Sequence, residues 1–365
     1  MPIVPEPRAY EPFVSPLFLP LRQWRFRCRF PRPLELPVRD GATPGTLLTG
    51  CFRGLLLAQW CDTSSLRGVM DVERLRPALE GDAKDFSPCA QQDFGCERPH
   101  TCVCGALHRV PCSWQPGRVL PPVVRLSAPT LWEPSPQLEW ELVLTALGRR
   151  AQTHAPALLE LVETMSRVGL RIGGRHTTFE LVALDSVEHG CIGNQLAPEA
   201  AASAELQLPQ EDRRLLLAFS TPLLLKPRTE IDPRTGAVHR LFEREGELDL
   251  SRLLGNLAFD LCALDLEDRG ETAPPVSMRR ALCEAARVFT EEAACEIRVL
   301  TMQMNHMDLG IRESRSGNGS FGMQGLMGYL VMKCPPAMVP WVRVMSHWRA
   351  GQLGSKGFGE VPIWG

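Results

Sequence analysis

Residues Leu21–Phe30 read LRQWRFRCRF. Trp24, Phe26, Cys28 and Phe30 alternate with Arg25, Arg27 and Arg29. A period of two predicts a strand with one apolar and one cationic face. Pro31 and Pro33 lack backbone donors and predict its end. The three arginines then share a face. That face is either simply solvated or a cluster for phosphate, because a guanidinium fork donates two parallel hydrogen bonds to phosphate oxygens.

Outward from this strand, Gly45–Trp60 (GTLLTGCFRGLLLAQW) has leucines at helical spacing and Thr46 or Thr49 to cap it. An insertion of about residues 61–118, rich in Cys, Pro and Gly, follows. Val119–Ser127 and Gln137–Leu147 are strand-like, Ala155–Val168 is an amphipathic helix, and Gly169, Gly173 and Gly174 stop it. Thr177–Leu184 is again a strand. The order β, α, β, β, α, β is that of a ferredoxin-like domain. Its antiparallel sheet carries two helices on one face and leaves the other for a ligand.

Pro198–Asp212, rich in Ala, Glu and Pro, marks a boundary. Beyond it the same order recurs. Arg214–Lys226 is a strand broken at Pro222, Leu248–Leu266 a helix, and Ser277–Ala294 its extension or successor. Strands Ile297–Met304 and Leu326–Met332, helix Val339–Ala350 and strand Glu360–Trp364 complete it. The predicted class is α+β, with tandem ferredoxin-like (RRM-like) domains. Residues 1–210 form the first, carrying the Cys-rich insertion. Residues 211–365 form the second, with a glycine-rich loop, 351–359, before the last strand.

Composition narrows the function classes. A 365-residue chain with 44% hydrophobic and 22% charged residues is ordinary for a globular protein. No run reaches the roughly 18 apolar residues of a membrane helix, so no membrane partner is expected. The N-terminal residues lack a signal pattern, and 13 cysteines without one suit a reduced, cytoplasmic protein better than a secreted disulfide framework. A net charge of −2 excludes a globally basic nucleic-acid binder. Of the 40 basic residues only Lys84, Lys226, Lys333 and Lys356 are lysine. GC-rich coding explains such a bias in bulk; clustering of arginines is what would make it functional.

Three constellations stand out. The loop GQLGSKGFGEV has Gly351, Gly354, Gly357 and Gly359 around Ser355 and Lys356. Glycines let backbone N–H groups approach phosphate oxygens, although the order is not that of a P-loop. Arg312–Gly319 (RESRSGNG) places Arg312 and Arg315 in a polar stretch between strands. Arg171 and Arg175 around Gly173-Gly174 are a weaker equivalent in the first half. The insertion carries Cys89-x6-Cys96-x5-Cys102-x-Cys104, with Cys61, His100, His108 and Cys112 nearby. Four thiolates can hold a structural zinc with no open position, or they are free thiols. Cys191, Cys262, Cys283, Cys295 and Cys334 sit in apolar contexts and read as small core residues.

The glycine-rich loop before a last ferredoxin-like strand resembles that of the CRISPR-associated RAMP proteins. Other stretches resemble their precursor-RNA-processing endoribonuclease branch. Gly45-Thr-Leu-Leu-Thr-Gly-Cys-Phe-Arg-Gly54 is similar to its first helix, and Phe219-Ser-Thr-Pro-Leu223 to the strand opening its second domain. Arg312-Glu-Ser-Arg315 followed by Phe321-Gly-Met-Gln-Gly-Leu-Met-Gly328 resembles a further tract. Together and in order these motifs span nearly the whole chain. The resemblance implies an enzyme that binds the stem-loop of CRISPR repeat RNA and cuts it without a catalytic metal. The 2′-hydroxyl attacks the adjacent phosphate and leaves a 2′,3′-cyclic phosphate. Many relatives use a histidine near the first helix, and residues 45–60 contain none. His306, near Arg312 and Arg315, and His347, near the glycine loop, are candidates for the RNA site, with Arg53 in the helix itself. RNA contacts are expected from Arg25, Arg27, Arg29, Arg312, Arg315, Gly354, Ser355, Lys356, Gly357 and Gly359. Two alternatives stand beside this. One is a non-catalytic RAMP subunit that binds or caps crRNA with CRISPR effector complex subunits. The other is a zinc-organised interaction protein that binds no RNA.

Overall fold

A computed structural model describes residues 19–34, 52, 55–56, 59–60, 102–107, 110–116, 118–127, 137–172, 175–191, 212–223, 228–231, 234, 238–241, 248–270, 273–313, 320–348, 361 and 363–365. The alternating decapeptide lies in β1 (Pro20–Leu34). Trp24, Phe26, Cys28 and Phe30 are buried, and Arg25, Arg27 and Arg29 are exposed. The strand does not stop at Pro31. Its pairing skips from Arg29 to Leu34, so Pro31 and Pro33 occupy an irregular stretch that asks for no ladder donor.

Phe52, Leu55, Leu56, Gln59 and Trp60 are helical, and the first three are buried. Then come α1 (Val103–Leu107), a small hairpin of β2 (Val110–Pro111) and β3 (Val119–Leu120), then β4 (Val124–Ser127) and β5 (Gln137–Leu147). Helices α2 (Arg149–Thr153) and α3 (Ala155–Val168) precede the hairpin β6 (Leu170–Ile172) and β7 (Arg175–Thr177), then β8 (Glu180–Cys191). Two readings are corrected here. Val119–Ser127 is two strands, because Pro121-Pro122 cannot continue a ladder. Thr177–Leu184 is the end of one hairpin and the start of another strand. At the end of the insertion Ala106, Leu107, Cys112 and Trp114 are buried in the core.

The first sheet has the order β4-β5-β1-β8, all antiparallel. Leu158, Leu161, Val162 and Met165 of α3 join Phe52, Leu55 and Leu56 against Trp24, Phe26 and Phe30. The ring of Phe30 lies 4.4 Å from that of Trp140.

The second half repeats the plan. β9 (Arg213–Leu223) is followed by the hairpin β10 (Arg228–Ile231) and β11 (Val238–Leu241), then α4 (Leu250–Arg269) and α5 (Val276–Ala294). β12 (Arg298–Glu313), β13 (Ser320–Cys334), α6 (Val339–Trp348) and β14 (Ile363–Trp364) complete it. The sheet order is β12-β13-β9-β14. In both sheets the second, third, first and fourth principal strands lie side by side, which is the ferredoxin-like arrangement expected. α4 starts where the Asp249 carboxylate accepts from the Arg252 N–H at 3.0 Å and ends at Gly270 with φ +54°. Residues 276–294 are a separate helix: Pro274-Pro275 interrupts the backbone bonds that would extend α4.

The halves share one core. Leu19, Leu21, Cys112, Trp114, Leu120 and Leu147 cluster with Phe259, Leu330, Trp341 and Trp348. Arg118 pairs with Asp260 at 2.7 Å and lies 3.6 Å from the Phe259 ring centroid. The Asp268 carboxylate accepts from the Arg149 and Arg150 N–H groups at 2.9 and 3.0 Å, capping α2 from the other half. Ser113 donates to Glu267 at 2.9 Å. Among the described residues no helix is long and apolar enough to cross a membrane.

Cys262, Cys283 and Cys334 are buried as expected, and burial pushes the Cys334 thiol up to about 12. Cys295 is exposed instead. It follows the last turn of α5, and its thiol donates to the Glu291 carbonyl at 3.3 Å.

Candidate nucleic-acid interface

Each sheet has a face without helices of its own, and cross-strand register places the side chains on it. On the first sheet Leu21 lies opposite Leu147, and Gln23 opposite Thr145, which lies opposite Arg125. This end is closed. Gln23 donates to Thr145 at 3.2 Å, and Arg125, 7% exposed, stacks 4.0 Å from the Trp348 ring centroid of α6. The second half therefore covers half of a face that the domain plan alone would leave free.

The open end carries Arg25, Arg27 and Arg29, on one face as the alternation requires. Acidic residues surround them. Arg29 donates through Nε and Nη2 to Glu139 at 2.8 and 2.6 Å, and its Nη1 lies 4.0 Å from Glu180. Arg27 lies opposite Glu141, and Arg25 opposite Asp185. Like-charge repulsion along the row is answered by carboxylates on both neighbouring strands. The face is a mixed-charge ladder rather than a cationic patch.

On the second sheet three rows cross the strands. Arg298 of β12 lies opposite Lys333 of β13, which lies opposite Arg214 of β9. In the next row Thr301, Val331, Leu216 and Trp364 follow one another across all four strands. In the third, Gln303 lies opposite Tyr329, and Tyr329 opposite Ala218. Opposed residues share a face. The core residues Leu330 and Met332 point the other way, so these rows form the helix-free face. Tyr329 is 37% and Trp364 52% exposed.

His306 is exposed on β12 opposite Leu326, and therefore faces the helix side of that edge strand. Arg312 lies near the end of β12, opposite Phe321. His347 is half-exposed in the last turn of α6. Cys102 precedes α1 and Cys104 lies within it. Arg53, Arg315, Gly354, Ser355, Lys356, Gly357, Gly359, Cys89 and Cys96 lie outside the described residues. Among the described residues no three His, Cys, Asp or Glu side chains are grouped to hold a metal. The sequence reading missed Arg214, Arg298, Tyr329 and Trp364 as a group. Each strand shows its own alternation, but only register brings the four together.

No family model matches the chain, and no curated protein matches it. Solved structures do. A Cas6 product complex is 13% identical, with a TM-score of 0.43, covering 94% of this chain and all of that one. A Cas6-related protein from Pyrococcus furiosus is 11% identical, with a TM-score of 0.38, over 94% of this chain and 98% of that one. A partial Cas6-RT-Cas1–Cas2 complex is 11% identical, with a TM-score of 0.47; the match covers 96% of this chain and 47% of that one. At these values the likeness is long but loose. The ferredoxin-like assignment rests on the strand order itself.

Proposed function

We propose that the chain binds the repeat stem-loop of CRISPR precursor RNA and cleaves it to release guide RNA. One observation carries this reading: the RAMP-like motifs run in order along a chain that twice repeats the ferredoxin-like strand order. Phe219–Leu223 ends β9, the first strand of the second half. Phe321–Gly328 lies in its third, β13. Residues 351–359 fall between α6 and β14, ahead of the last strand.

The chemistry is transesterification. A base takes the proton of the 2′-hydroxyl, O2′ bonds to phosphorus, and the P–O5′ bond breaks as the 5′-oxygen is protonated. Neither redox change nor a catalytic metal enters the balance. The residues in view are His306 or His347 as the base and Arg53, Arg312 or Arg315 as the cation for the phosphorane. Incubation with 5′-labelled repeat RNA in EDTA should give one discrete product ending in a cyclic phosphate. Loss of the base should slow cutting by roughly 10²–10⁴-fold. A preparation that binds the repeat but never cuts it would sink the enzymatic reading. It would favour a crRNA-capping subunit of an effector complex, the reading that the missing histidine in residues 45–60 supports.

Cys89, Cys96, Cys102 and Cys104 hold a structural zinc in this reading. Cys102 and Cys104 flank the start of α1, whose Ala106 and Leu107 are buried, so a metal there would tie the insertion to the first core. Elemental analysis should find about one zinc per chain, retained through the EDTA of the cleavage assay and released only when the chain unfolds; less than about 0.2 would count against it.

A further inference from the structure

Resting on the RNA reading above, we propose that the helix-free face of the second sheet is a platform for single-stranded RNA. Tyr329 and Trp364 stack bases there, and Arg214, Arg298 and Lys333 hold phosphates. The starting point is an unanswered repulsion. Directly opposed like charges destabilise a sheet, and three cations stand in one row across β12, β13 and β9. On the first sheet each arginine has a carboxylate across the strands, Arg25 opposite Asp185, Arg27 opposite Glu141 and Arg29 ion-paired with Glu139. On the second, β9, β13 and β14 contain no carboxylate, and Asp308 and Glu313 of β12 lie opposite Gln324 and Ser320, many residues along the strand from the cation row. The nearest acids in sequence, Asp212 and Glu296, precede Arg214 and Arg298 by two residues. Among the described residues no ion pair engages Arg214, Arg298 or Lys333.

The next two rows set the kind of anion. Trp364 and Tyr329 are exposed over a floor of Leu216, Val331 and Ala218. Cations beside exposed aromatic faces match a polymer that alternates phosphates with flat rings, and stacking tolerates any base sequence. Thr301 and Gln303 are exposed at the β12 side of the same rows and offer neutral hydrogen bonds to base edges. A duplex hides its base faces, so the ligand is unpaired RNA, such as the nucleotides flanking a hairpin. Because α4 and α6 pack against the first half, this face is turned away from the shared core.

Fluorescence anisotropy tests this with a 5′-fluorescein oligouridylate of about ten nucleotides. An RNA duplex of equal length and an oligoglutamate peptide are run beside it. The intact chain should prefer the single strand. Tyr329→Ala with Trp364→Ala should weaken it roughly thirtyfold or more. Replacing Arg214, Arg298 and Lys333 by alanine should reduce the salt slope by about 2, near 0.7 per lost phosphate contact. With 4-thiouridine in the strand, photocrosslinks to the intact chain should map to the peptides holding Tyr329 or Trp364, whether or not the variants fold. Unchanged affinity in folded variants, crosslinks confined elsewhere, or equal binding of the peptide would overturn the platform. Cutting of the repeat hairpin by the unaltered chain is scored separately. Its success beside a failed platform test removes only the platform, whereas an intact chain that binds no RNA at all removes both.

Discussion

Replacing Gly328 with alanine is expected to lower the unfolding free energy by about 3–5 kcal/mol. Gly328 has φ +150°, and a Cβ there would lie 1.9 Å from the Gln303 carbonyl oxygen and 2.8 Å from the Met304 Cα. Both are backbone atoms of β12, so no rotamer change relieves the overlap. The residue pairs with Met304 on one side and Phe219 on the other. Relief would have to pull both central ladders open and expose the core around Phe219, which is fully buried. Gly270 is the matched control. Its φ of +54° also disfavours a side chain, but nothing lies within 4 Å of its Cβ position. Alanine there should cost backbone strain alone, roughly 1–3 kcal/mol. Urea unfolding of both variants reads the difference; a loss below about 1 kcal/mol for Gly328→Ala would mean that β12 and β13 do not approach as described.

Trp348→Ala should cost a similar 3–5 kcal/mol, for a different reason. Trp348 is 1% exposed in the shared core, and its ring covers the guanidinium of Arg125 on β4. Truncation opens a cavity and also strips a buried cation of the aromatic face beneath it. Trp348→Phe keeps a ring and should recover much of the loss. Because β4 belongs to the first sheet and α6 to the second half, the damage should reach both. Unfolding followed by a probe in each half should remain one transition at lower denaturant. Two separated transitions, one unshifted, would show that the halves do not share a core.

Much of the plan was legible because local physics wrote it. Trp24–Phe30 alternates so regularly that only a strand hides its rings and wets its arginines. Ala155–Val168 was bounded correctly because a proline opens it and Gly169, with φ +87°, closes it. Where prolines interrupt a pattern the reading was less secure. Pro31 and Pro33 did not end β1, Pro121-Pro122 divided one expected strand, and Pro274-Pro275 separated α4 from α5. In each case the outcome depends on whether a partner strand or helix needs the missing donor, which is not a local property.

The site was less legible than the fold. Arg25, Arg27 and Arg29 do share a face, as their spacing alone requires. What they meet there is set by register with strands more than a hundred residues away in the chain, and those strands bring Glu139, Glu141 and Asp185. Conversely, Arg214, Arg298 and Lys333 look unremarkable in sequence, yet antiparallel pairing lines them up in one row beside two exposed aromatics.

Period, capping and proline placement were enough to specify the strands, the helices and their repeated order, because those depend on neighbours within a few residues. Which arginines remain uncompensated depends on who stands opposite whom. Coulomb interactions act through space, and only the folded sheets fix those distances.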